Sequence, residues 1–223
     1  LAVPAAAELL EPREPPLRLD RDSFRAGLAA ELPEPLPSGP IVIVVADKTR
    51  LCGYPTVLPW LVELLAERGA GPERITFFIA YGVHARQSEA ESLAAYGPVY
   101  TRYRFVHHDC DDAAAFVDLG RTGRGTPARV RRELVEADLV LTVGAISHHY
   151  FAGFGGGRKL LFPGLGERRA ILANHRLFLD PATRTLHPHC CAGRLAGNPM
   201  AEDLDEIARL LARPLSVHGL LDS

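Results

Sequence analysis

The chain has 223 residues, 47% of them hydrophobic and 23% charged, enough to enclose an apolar core in one large or two small domains. Its 25 Lys and Arg nearly cancel its 27 Asp and Glu, which argues against a nucleic-acid footprint or polybasic membrane attachment and favours a small-molecule partner. No apolar run approaches the ~18 residues that span a bilayer, no basic segment leads into an apolar one at the N-terminus, and Cys52, Cys110, Cys190 and Cys191 lack C-x-x-C spacing, so a cytoplasmic location is expected.

Residues 1–40, with "EPREPPLRLD" and "ELPEPLPSGP", are expected to form an extended N-terminal arm with one short helix near Ser23 to Ala30. "IVIVVAD" (41–47) is a continuous apolar run of the kind that makes a strand buried on both faces. A helix should follow from Thr56 to Arg68, with Leu61, Leu64 and Leu65 inward and Gly69 ending it. The unit repeats as "RITFFIA" (74–80, strand), "QSEAESLAAYG" (87–97, helix) and "YRFVHHD" (103–109, strand). Further on, Thr126 is placed to cap and Pro127 to open a helix reaching about Glu136, before "ADLVLTVG" (137–144) as another strand. In "GNPMAEDLDEIARLLARP", Asn198 caps a helix whose apolar stripe is Leu204, Ile207, Ala208 and Leu211. Strands alternating with helices predict an α/β fold over 41–223: a mainly parallel sheet with helices on both faces, Rossmann-like.

In such sheets ligands bind beyond the carboxyl ends of the strands, which directs attention to "DKTR" (47–50), "YGVHAR" (81–86), "HHDCDD" (107–112) and "SHHYFAGFGGGRK" (147–159). Gly153, Gly155, Gly156 and Gly157 would let backbone N–H groups approach an anion, with Arg158 and Lys159 adding charge. The pattern is neither G-x-x-x-x-G-K-[ST] nor G-x-G-x-x-G, and a plain flexible turn explains the glycines equally well. Of His107 and His108, at least one reads as a hydrogen-bonded structural residue, and His187, His189 and His218 read as solvated. His84, His149 and His175 have chemical company. Imidazole serves both proton transfer and metal ligation, so spacing leaves their jobs open.

Taken together, "DKTR", "GVH" (82–84), "HYFAGFGGGRK" (149–159), "FPG" (162–164) and "ANH" (173–175) resemble the N-terminal domain of the nickel-dependent lactate racemase family, over most of residues 41–212. The resemblance implies a racemase or epimerase of 2-hydroxy acids that works by reversible hydride transfer to a nickel-pincer nucleotide, a pyridinium mononucleotide carrying thioamide and thiocarboxylate arms. It makes 41–223 a cofactor-binding domain. Lys159 would hold the cofactor covalently and His175 would ligate the nickel. Gly155, Gly156, Gly157 and Arg158 would lie near its phosphate, and Asp47 and Thr49 would contact the cofactor, Asp47 alternatively the substrate. Arg50 would grip the substrate carboxylate, and His84 and His149 would form the acid/base pair. Separate maturation enzymes would be partners.

Two departures accompany the resemblance. "HAR" stands where an arginine directly after His84 is expected, which puts the role of Arg86 in doubt, and the family's C-terminal domain is absent from this chain, whether missing or separate. Two other readings compete. One is a non-catalytic nucleotide-binding or scaffold module derived from the family. The other, a metal-dependent hydrolase built from His84, His107, His108 and Asp109, leaves Lys159 and the glycine loop unexplained and lacks H-E-x-x-H spacing.

Overall fold

Ile41–Ala46 form strand β1, and all six residues are buried, because an uninterrupted apolar strand is stable only when both of its faces are covered. The computed structural model describes residues 19–211 and 214–219, so the first eighteen residues of the expected arm lie outside the described residues. Ahead of β1, helix α1 (Arg21–Glu31) is capped by Asp20, whose side chain accepts from the Ser23 N–H. Its apolar pair Phe24 and Leu28 is buried, and the Phe24 ring lies 5.7 Å from that of Trp60. This i, i+4 stripe docks α1 onto α2 (Tyr54–Glu67), so this part of the segment packs on the domain.

The chain continues through β2 (Ile75–Ala80), α3 (Glu89–Tyr96), α4 (Val99–Arg102) and β3 (Arg104–His107). A hairpin of β4 (Phe116–Arg121) and β5 (Pro127–Arg131) follows, then α5 (Glu133–Glu136) and β6 (Leu139–Ala145). Next come β7 (His148–His149), β8 (Gly153–Phe154), α6 (Arg158–Leu161), α7 (Arg168–His175), β9 (Leu179–Asp180), β10 (Thr185–Leu186), α8 (Pro199–Arg209) and β11 (Leu215–Gly219).

Five strands form one sheet in the order β11-β6-β1-β2-β3, and every neighbouring pair is parallel. From β1 the chain winds outward to β2 and β3, then returns to the other side of β1 for β6 and β11. The winding reverses between β1 and β6, and that reversal opens a crevice at their carboxyl ends. Helices cover both faces. Successive residues of a strand point to opposite sides, and Phe77 meets Tyr103 and Phe105 while Phe78 lies under the Arg131 guanidinium of the hairpin.

Two buried tyrosines brace the switch point. The Tyr54 hydroxyl accepts from the Ala46 N–H at 2.7 Å and donates to the Val143 carbonyl at 2.8 Å, joining the ends of β1 and β6. Tyr96 donates to the Ala46 carbonyl at 2.8 Å.

The helix expected from Thr126 to about Glu136 is corrected. Residues Pro127–Arg131 are a strand, antiparallel to β4, and only Glu133–Glu136 are helical. Ala128 and Val130 are buried with Arg129 between them, a period of two that overrides the helical start signal of Thr-Pro. Val130 bridges to Gly166, and the Arg131 N–H donates to the Leu165 carbonyl. At the other end, Asn198 caps α8 by accepting from the N–H groups of Met200 and Ala201, both at 3.1 Å.

Candidate active site

The loops after β1, β2 and β6 and the last turn of α7 enclose a cavity of about 140 Å³ at the switch point. Its charged and imidazole lining consists of Asp47, Arg50, His84, His149, Lys159 and His175, with Gly155 and Gly156 forming one wall. Residues more than a hundred positions apart in the chain meet here because parallel strands end on the same side of the sheet. Thr49, Gly157 and Arg158 are placed differently. Thr49 turns onto Asp47, while Gly157 and Arg158 line a neighbouring cavity with His218, where Arg158 Nε lies 2.5 Å from Asp205 of α8.

The glycine loop owes its shape to close backbone approach. Gly153 pairs with His149 in the β7–β8 ladder at φ +77°, and a Cβ there would lie 2.2 Å from the Arg194 carbonyl oxygen. At Gly156, φ is +76° and a Cβ would lie 2.5 Å from the Ala145 carbonyl oxygen. Neither position admits a larger residue without moving backbone.

Asp47 is 3% exposed. Its Oδ1 accepts from Thr49 N at 2.8 Å and Thr49 Oγ1 at 2.6 Å, and its Oδ2 lies 2.6 Å from His84 Nδ1. Burial pushes this carboxyl upward, but the hydrogen bonds from His84 and Thr49 outweigh it and hold the net value below the usual range. For His84 the Asp47 hydrogen bond dominates and raises the imidazole against burial and the Arg50 and Lys159 charges.

His149 moves the other way. Burial, with Lys159, Arg50 and His175 adding repulsion, pushes it down to about 4. Its Nδ1 accepts from the N–H groups of Phe151 (3.3 Å) and Ala152 (3.1 Å). The neutral forms therefore differ: His84 keeps an acceptor Nε2, and His149 carries its proton on Nε2.

Lys159 and His175 have the chemistry of attachment points. The sequence holds two lysines, Lys48 and Lys159. Lys48 is ion-paired with Glu91 at 2.5 Å. Lys159 is pushed down to about 8 by burial and by the Arg158 and Arg50 charges, which gives it a substantial neutral, nucleophilic fraction near neutral pH. His175, at the end of α7, donates from Nδ1 to the Ile171 carbonyl at 2.7 Å. Burial, helped by the Lys159 charge, outweighs the raising effect of that hydrogen bond and lowers the imidazole, which favours a neutral ring with its Nε2 lone pair free, the arrangement of an imidazole poised to bind a metal.

The hydrolase cluster is not assembled. His107 sits between the hydroxyls of Tyr81 (2.7 Å) and Tyr100 (3.1 Å), and His108 donates from Nε2 to the Gly166 carbonyl at 3.0 Å. Among the described residues, the one group with metal-compatible spacing is Asp109, Cys110 and Asp111, and there Arg168 already pairs with Asp111 through two hydrogen bonds. Arg86 pairs with Glu89 at 3.5 Å and does not line the cavity. Sequence reasoning passed over Tyr81, which lines the cavity, although it directly precedes "GVH"; for Tyr54 no sequence signal was available.

An all-parallel sheet wound outward from β1, with three histidines, a lysine, an arginine and an aspartate lining a cavity at its switch point, defines a Rossmann-like α/β domain with the crevice where such sheets take ligands. Residues 31–186 match the family model described as the lactate racemase N-terminal domain, and the chain belongs to that family. It is 31% identical over 186 residues to the lactate racemase of Lactiplantibacillus plantarum and 30% identical over 186 residues to that of Thermoanaerobacterium thermosaccharolyticum. Each alignment covers 82% of this chain and 42% of the relative, so the chain spans under half the length of these curated relatives. The lactate racemase apoprotein structure from T. thermosaccharolyticum superposes with a TM-score of 0.79 at 26% identity, covering 91% of this chain and 49% of that one. A Thermotoga maritima crystal structure shares the fold at TM-score 0.70 and 20% identity, covering 92% and 52% of the respective chains. No helix among the described residues is long and apolar enough to cross a membrane.

Proposed function

We propose that this chain is the cofactor-binding part of a cytoplasmic 2-hydroxy-acid racemase or epimerase that carries a nickel-pincer nucleotide on Lys159. The observation that carries the reading is the convergence of Lys159, His175, His84 and His149 on one cavity, with Lys159 lowered in basicity and His175 Nε2 free. When bound, the group supplies a reversible hydride acceptor. Lys159 would hold it covalently and His175 Nε2 would ligate its nickel, imidazole being a donor that suits nickel. Gly155 and Gly156 line the same cavity, and the loop is held there by close packing, since a side chain at Gly156 would collide with the Ala145 backbone.

The remaining residues act on the substrate. Arg50, which lines the cavity, presents a guanidinium suited to bidentate capture of a carboxylate. His84 and His149 take and return the hydroxyl proton. Two imidazoles are required because the enantiomers present their hydroxyls to opposite sides, and each side needs its own proton carrier. Turnover belongs to the whole protein, matured by cofactor-synthesis enzymes and completed by a C-terminal domain of the kind the family carries.

The test is nickel content after production with the maturation enzymes and nickel supplied. His175→Ala should lower nickel from about one per chain, the stoichiometry of a single site, to near zero while the adduct on Lys159 persists. Stoichiometric nickel in that variant would remove His175 as the ligand.

A further inference from the structure

His84 lies in the loop after β2, and its side chain is 53% exposed, so packing alone does not hold the ring in one orientation. The Asp47 carboxylate does. Asp47 follows β1 directly, where Ala46 is fixed through both backbone groups by Tyr54 and Tyr96. Thr49 occupies Oδ1 with two donors, and Oδ2 faces His84 Nδ1 at 2.6 Å. A carboxylate accepts and cannot donate, so the proton of neutral His84 sits on Nδ1 and its Nε2 lone pair is left free at the cavity.

We propose that Asp47, locked by Thr49, is a positioning residue that fixes His84 in the Nδ1–H tautomer and aims its Nε2 at the substrate. Asp47 thus acts on the proton transfer through His84. The proposal rests on the acid/base reading of His84, but its structural core can be tested without activity.

The isosteric Asp47→Asn variant makes a specific demand. The two Thr49 donors require an acceptor, so the carboxamide oxygen takes the place of Oδ1 and the NH₂ group faces His84. Nδ1 must then accept, and the ring proton moves to Nε2. Long-range ¹H–¹⁵N NMR of the cofactor-free chain, at a pH where His84 is neutral, should report Nδ1–H in the parent and Nε2–H in Asp47→Asn. His84 should also titrate lower in the variant, because Asp47 is the acid facing it, while the cations Arg50 and Lys159 oppose its protonation. Adding Thr49→Val removes one of the two donors that orient the carboxamide and should return part of the population to Nδ1–H.

In the matured whole enzyme, Asp47→Asn should lower kcat by roughly 10²- to 10⁴-fold, the scale of a wrong-tautomer defect, with KM little changed. An Nδ1–H ring with an unshifted midpoint in Asp47→Asn would overturn the proposal whatever the activity. A tautomer switch without racemase activity in the parent would sustain the positioning contact and sink the racemase reading instead.

Discussion

Replacing Lys159 by methionine should stabilise the cofactor-free protein while abolishing cofactor attachment. Lys159 drops from an ordinary 10.5 to about 8, mainly through burial, with Arg158 and Arg50 adding to it. Between those values the unfolded chain binds the proton and the folded chain does not, so stability falls as pH drops from 10.5 toward 8. Below 8 the full cost is present, up to about 3 kcal/mol. Methionine retains an unbranched apolar stem and carries no charge. Urea unfolding should therefore show a gain of that order at pH 7 that shrinks steadily above pH 8 and vanishes past 10.5. A gain independent of pH, or none, would contradict the buried-ammonium account. Trading stability for a reactive group is what an attachment lysine requires, since the burial that destabilises the ammonium also supplies the neutral amine.

The histidine pair carries the second large effect. Glutamine at either His84 or His149 should cut turnover of the matured enzyme by roughly 10²- to 10⁴-fold, the usual contribution of a positioned acid or base. The two sites lean apart. Asp47 raises His84, whereas burial and the neighbouring cations push His149 down to about 4. A shared single proton therefore resides on His84. As pH falls through about 4, His149 takes a second proton; as pH rises through the elevated His84 value, the pair loses its only one. Activity should be bell-shaped between these limbs, which belong to the pair as apparent values. For a racemisation the equilibrium constant is one, so kcat/KM must be equal for the two enantiomers at every pH and the limbs must coincide. A profile without either limb, or full activity in both glutamine variants, would remove the acid/base assignment.

Much of this was legible in the sequence where local chemistry and burial agree. β1, β2 and β6 are apolar runs that could be stable only inside a covered sheet. The Ser88–Glu91 capping box and the Asn198 cap announce α3 and α8. The β4–β5 hairpin was missed because Pro127 opens helices as readily as it begins a strand, and the pairing with Phe116–Arg121 that decides the matter is a tertiary contact. β11 was missed as well: "LSVHG" is short and half polar, and its place at the sheet edge comes from pairing with β6. At the site, residue types and strand ends pointed to Asp47, Arg50, His84, His149 and Lys159, which line one cavity, while His175, at a helix end, owed its assignment to the family resemblance. Their relationships were hidden. Asp47 and His84 are brought within 2.6 Å by adjacent parallel strands, and Arg158 turns to Asp205 on a helix far along the chain. No spacing rule encodes either contact.

The central claim is that Lys159 is the attachment point of a nickel-containing cofactor. With Lys48 as the only other lysine, peptide mass mapping locates an adduct almost without ambiguity. The decisive measurement is intact mass, peptide mapping and metal analysis on protein produced with cofactor-synthesis enzymes and nickel. The expected result is an adduct on the Lys159 peptide alone, with about one nickel per chain, as a single site requires. An unmodified Lys159 under those conditions, or an adduct on Lys48, would contradict it.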